Sequence, residues 1–289
     1  MEPKKPIGGQ AVIEGVMMRG PGGIATAVRQ PNQEITVKKD QIHSLQERWP
    51  FLKLPILRGV VTLFESLVYG VKALNFSAQA AGEEDEQLTN KELAVTMVVA
   101  LAAGIILFII IPTAAAKLVK GLTTDPFWFN LAEGFIRMAV FLLYIFAISR
   151  MSDIQRVFQY HGAEHKVIHA YEADEPLTAD NIRKFSRLHP RCGTNFLLIV
   201  MLVSIFVFSF LGWPVLWLRI LSRIVLMPLI AGVSYEIIRV AGKHKGGLVH
   251  ACILPGLWLQ YLTTREPDDD QIEVAVRALQ EVKEEKREV

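Results

Sequence analysis

The chain has 289 residues, 51% hydrophobic and 21% charged, with a mean hydropathy of +0.31. The apolar content lies in long unbroken blocks. Hydrophobicity excludes a disordered chain, 2 Cys and 20 unrepeated Gly exclude a disulfide-stapled or collagenous one, and the runs are too long for a soluble enzyme to leave uncovered. The formal net charge of +2 points to no charged partner, and no nucleic acid is expected.

The expected class is therefore a mainly α polytopic membrane protein with about four transmembrane helices, interfacial or re-entrant helices and a small N-terminal β ribbon. Its natural partner is the lipid bilayer, with other membrane proteins as further partners. The segment Met1 to Gln10 is rich in Lys, Pro and Gly with no apolar region behind it, so the N-terminus is expected to remain cytoplasmic. Residues 1–40 alternate short β-prone runs with Gly, Pro and Pro-Asn turns, the pattern of an antiparallel ribbon. Their glycines match neither a P-loop nor a dinucleotide fingerprint, which favours turn chemistry over ligand binding.

Residues 41–92 hold an apolar stretch, 54–74, in which Arg58, Glu65 and Lys72 stand seven apart and form one narrow polar stripe on a helix. It reads as an interfacial helix, followed by an acidic linker at 82–86. Region 93–149 reads as a transmembrane hairpin of spans 93–118 and 127–149, the second carrying Glu133 and Arg137 four apart so that they pair on one face. A second hairpin, 196–241, comprises spans 196–218 and 220–241, with Trp213 and Trp217 at interfacial depth. The loop 150–195 between the hairpins carries seven Arg and Lys, whereas the short connections around the ends of the first and third spans carry two each. That asymmetry places this loop and both termini on the cytoplasmic side of a bacterial plasma membrane, where Cys192 and Cys252 remain reduced. Region 242–289 begins with a basic loop containing His244 and His250. It continues through a stretch, 247–263, interrupted by Pro255-Gly256 and read as re-entrant or interfacial, and ends in an amphipathic helix, 270–286, capped by Asp268 and packed on its own protein.

Ligand-type residues concentrate in the cytoplasmic loop. Four of the seven histidines, His161, His165, His169 and His189, fall there, with Glu164, Glu172 and Cys192. His161-Gly162-Ala163-Glu164-His165 sets two imidazoles one helical turn apart with a carboxylate beside them, the inverted zinc-protease arrangement in which the histidines bind zinc and the glutamate is the general base. His169 lies two turns from His161, about 12 Å of rise, too far to share its ion. A third ligand could be Glu236, which would leave an open, catalytic position, whereas His189 with Cys192 would close the tetrahedron and make the metal structural. The opposing reading is of ordinary polar side chains at a membrane surface, with Gly162 weakening the helix that the spacing assumes.

The strings Gly8 to Arg19, Tyr160 to Lys166, His189 to Asn195 and Pro267 to Leu279 resemble those of an uncharacterised family of bacterial membrane proteins typified by YqhQ and described as predicted metal-dependent enzymes. The resemblance covers nearly the whole chain and implies a membrane-bound metalloprotein. Two functions compete: a zinc hydrolase acting on a peptide or lipid at the interface, and a non-enzymatic scaffold or membrane-protein biogenesis factor with a structural metal.

Overall fold

In the computed structural model, which describes residues 7–82, 90–116, 118, 123, 125–212, 216–241 and 247–283, the N-terminal ribbon is a four-stranded antiparallel sheet. Strands β1 (Gly8–Val12), β2 (Gly15–Gly20), β3 (Gly23–Arg29) and β4 (Ile35–Asp40) follow one another as a meander. The β1–β2 turn is two residues long because Glu14 accepts a positive φ of 49°. Alternation then divides β2 and β3 between two cores: Val16, Met18, Ala25 and Ala27 face one side, Met17, Ile24 and Val28 the other.

Eight longer helices follow. They are α1 (Leu57–Ala81), α2 (90–116), α3 (Pro126–Ile148), α4 (Ser152–Glu172), α5 (Gly193–Ser209), α6 (Leu216–Ala241), α7 (Gly247–Thr263) and α8 (Asp269–Val282). The first core closes against α4 and α8 through Tyr160, Val167, Ile168, Ile272 and Leu279, and the second against α1 at Ala73. The amphipathic C-terminal helix does pack on its own protein. Asp268 and Gln271 exchange a capping box across its first turn.

Among the described residues, three helices are long and apolar enough to cross a membrane: Ala94–Ala116, Pro126–Ile148 and Leu221–Ala241. The expected span 196–218 is realised as the shorter α5, 17 residues in length. Within α2, Ile106–Ile110 forms a π turn ahead of Pro112. Proline lacks the N–H that would bond the Phe108 carbonyl, and Arg137 Nε on α3 donates to that carbonyl instead, at 3.1 Å. Arg137 also pairs with Glu133 at 2.9 Å, the expected i, i+4 contact, and the same carboxylate accepts from Thr113 on α2 and Arg223 on α6.

On α1 Arg58 and Glu65 of the polar stripe turn inward, while Lys72 is exposed. Glu65 is buried and accepts from Arg19, Ser44 Oγ and the Leu45 amide, while Arg58 reaches Glu236 on α6. Phe64 and Leu67 on the opposite face are 60% and 59% exposed, the reverse of a water-facing helix. The 247–263 stretch is one helix through Pro255-Gly256, with Gly256 packed against Asn195 of α5. The acidic linker beyond Gly82, the Trp213-Pro214 turn, His244, and the side chains of Trp217, Arg219, His250 and Cys252 lie outside the described residues.

Candidate metal centre

Helix α4 continues unbroken through the His-x-x-Glu-His string, so His161 and His165 share a face, with ring centroids 4.4 Å apart. Gly162 serves a close crossing. A side chain there would overlap the Arg265 carbonyl, where the chain leaving α7 passes over α4 and the Arg265 amide donates to the Phe158 carbonyl at 2.8 Å.

Each imidazole is oriented by a backbone carbonyl. His161 Nδ1 donates to the Thr263 carbonyl at 2.8 Å, one of those that the end of α7 leaves without a helical partner, and His165 Nδ1 donates to the Arg187 carbonyl at 2.6 Å. A carbonyl only accepts, which puts the proton on Nδ1 and frees Nε2 in both rings. His161 Nε2 lies 3.2 Å from Cys192 Sγ, and ligand atoms of His161, His165 and Cys192 all fall within 4.8 Å of one another. Cys192 caps α5, its sulfur accepting the Thr194 amide at 3.3 Å. Two nitrogens and one sulfur, each with an outer hydrogen bond, form a donor set suited to zinc.

Glu164, beside this set, is buried against β1. Gly9 makes the room, since a Cβ there would stand 3.0 Å from the Glu164 carboxyl carbon, and the Gly9 amide donates to the carboxylate. Its Oε2 is buried without a hydrogen-bond partner. Burial raises its pKa to about 7 against the opposing effects of His161 and Gly9. Burial likewise lowers the pKa of His165, and that of His189 to about 2, keeping both neutral as ligands must be.

The other expected ligands are elsewhere. His189 and Cys192 do not close one tetrahedron: Cys192 joins His161 and His165, whereas His189 groups with His169 and Glu172. Glu236 belongs to neither group, because its face of α6 meets α1 and Arg58 Nε donates to it at 2.7 Å. Sequence reasoning missed what holds the loop bearing these ligands. Gln260 of α7, fully buried, accepts from the His189 amide at 2.7 Å and donates to the His189 carbonyl at 2.8 Å and to Asn195 at 2.9 Å. A lone amide within the apolar run Leu257 to Tyr261 was the available signal. The Gly9 contact had none, since a glycine before a strand reads as a turn.

Among known proteins, the chain is 38% identical to "Uncharacterized protein YqhQ" of Bacillus subtilis (strain 168) over 295 aligned residues, covering 95% of this chain and 91% of that one. No solved structure matches it. Residues 54–285 match the model of a protein family described as "Protein of unknown function (DUF1385)", and with most of its length matched the chain belongs to that family.

Proposed function

We propose that the chain is a multi-pass protein of the bacterial plasma membrane whose cytoplasm-facing His161, His165 and Cys192 hold zinc, with Glu164 as general base in the hydrolysis of a peptide or lipid at the interface. One observation carries this reading: three convergent donors, their imidazoles oriented by carbonyls, beside a buried carboxylate oxygen that lacks a partner. Three protein ligands leave one tetrahedral position open, as in catalytic zinc sites. Zinc there supplies Lewis acidity toward water and a carbonyl oxygen. Thr263 and Arg187 hold the imidazoles in register, and Glu164, with its pKa raised to about 7, takes a proton from the attacking water and returns it to the leaving group.

The membrane part rests on the three long apolar helices and on α5 as a fourth crossing, about 25 Å long. The outward apolar face of α1 lies along the interface, and the Arg/Lys asymmetry sets the cytoplasmic side.

Glu164→Gln preserves size and polarity. The variant is expected to keep its metal and its melting temperature while complementation of a deletion strain fails, since a positioned base contributes roughly 10²–10⁴ in rate. Full complementation at normal expression, with metal loss and destabilisation in Cys192→Ser, would sink the hydrolase and favour a structural clamp in a scaffold or biogenesis factor.

A further inference from the structure

The stripe of ligand-type residues on α4 continues past the first cluster. His161, His165, His169 and Glu172 follow one another at spacings of four, four and three, which keeps them on one face over three turns. Opposite them the loop 187–192 runs alongside, so that Cys192 faces His161 while His189 faces His169, with ring centroids 4.8 Å apart. We propose that His169, Glu172 and His189 form a second metal site, distinct from the Cys192 cluster, which takes a divalent first-row cation on two nitrogens and one oxygen.

Ligand atoms of these three residues lie within 4.8 Å of one another. The His169 ring is prepared as those of the first cluster are. His169 donates from Nε2 to the Leu188 carbonyl at 3.0 Å, leaving Nδ1, and its ring stacks parallel to Phe185 with an interplanar angle of 9°. His189 is buried, with its backbone gripped on both sides by Gln260. Its Nδ1 accepts the Arg191 amide at 3.3 Å, so the ring's one lone pair lies there, and the ion would take it in place of that long bond. Such outer hydrogen bonds orient metal-binding imidazoles.

Glu172, exposed at the end of α4, supplies the negative charge. Arg191 now occupies its carboxylate, so a positive group already stands where the ion would draw that oxygen, and the guanidinium swings away as the ion enters. The sites differ in softness: a thiolate selects zinc in the first, whereas nitrogen and carboxylate donors accept manganese, iron or zinc in the second. The second site does not depend on the first being catalytic.

The test titrates cobalt(II) into the chelator-stripped full chain in detergent, reading stoichiometry together with thiolate-to-cobalt charge-transfer absorption. Wild type is expected to bind two equivalents, one of which produces the thiolate band. His169→Ala should bind one equivalent with the band intact. Glu172→Gln, a milder change at an exposed position, should weaken the band-free equivalent at least tenfold. His161→Ala should keep that equivalent and lose the band. If wild type binds a single equivalent with the band, and both His169→Ala and Glu172→Gln leave it unchanged, the second site does not exist and the first stands. A single band-free equivalent abolished by Glu172→Gln would uphold the second site and overturn the first.

Discussion

Val16 on β2 is fully buried, whereas Val98 on α2 is 67% exposed, and each is typical of its surroundings. Around Val16, the sheet, α4 and α8 turn apolar side chains inward, with charged pairs such as Arg183–Asp269 on the outside. Around Val98 the order is inverted: Leu101, Ile109 and Leu143 point outward, and the polar groups Thr113, Glu133, Arg137 and Arg223 gather between helices. One half buries its apolar surface by folding against itself, and the other leaves it exposed. The ligand cluster lies where they meet, since its helix α4 belongs to the first half and its supports Gln260 and Thr263 belong to α7.

Charge substitution tests this contrast most severely. Val16→Asp puts an unpaired charge in a closed core and should cost about 3–5 kcal/mol, enough to abolish folding of the sheet region, read as loss of expressed protein or protease resistance. Val98→Asp would be almost silent if α2 faced water. In lipid it should cost roughly 2.5–3.5 kcal/mol and reduce membrane insertion in a fractionation assay. Equal tolerance of both substitutions would break the comparison.

A smaller effect concerns the one acid buried among the ligands. Glu164 has a pKa of about 7 when folded against an ordinary 4.5, so between those values the folded state holds the proton that the unfolded state has released, and stability falls as pH rises. A shift of that size corresponds to about 3 kcal/mol. Metal-free Glu164→Gln should therefore equal wild type in denaturant melts near pH 4.5 and exceed it above pH 7. His165 and His189, with lowered values, act oppositely, their contribution being present above pH 6.5 and lost below it, and they cancel in the comparison of the two proteins. A wild type as stable as the variant at pH 8 would contradict the burial of Glu164.

The smallest effect lies on the charged exterior. Arg183–Asp269 joins two exposed side chains screened by water, and Arg183→Ala should leave the denaturant midpoint and the metal content essentially unchanged.

The division between these halves was legible because it is a matter of composition. Unbroken apolar runs announce α2 and α3, alternation announces β2 and β3, and Asp268 announces α8. The i, i+4 rule similarly pairs Glu133 with Arg137 and His161 with His165. Contacts between distant segments were not legible. Nothing local distinguishes Glu236, tied to Arg58, from a ligand, and nothing local sends Cys192 and His189 to different groups, because both assignments depend on how helices and loops dock. The stripe on α1 was seen, but not that its Arg58 and Glu65 face protein, since a helical pattern separates polar from apolar faces without saying which solvent lies outside.

The carbonyl that orients His161 belongs to Thr263, and the amide that secures His189 belongs to Gln260. During biosynthesis the residues from His161 to Cys192 leave the ribosome roughly 70–100 residues before these supports, a delay of several seconds or more at roughly 5–20 residues per second. The nascent chain thus displays the His161 imidazole and the His189 loop before their α7 supports exist, and the cluster acquires its final shape only as α7 settles beside α5. Assembly of the cluster is thereby a late event, waiting on the emergence of α7.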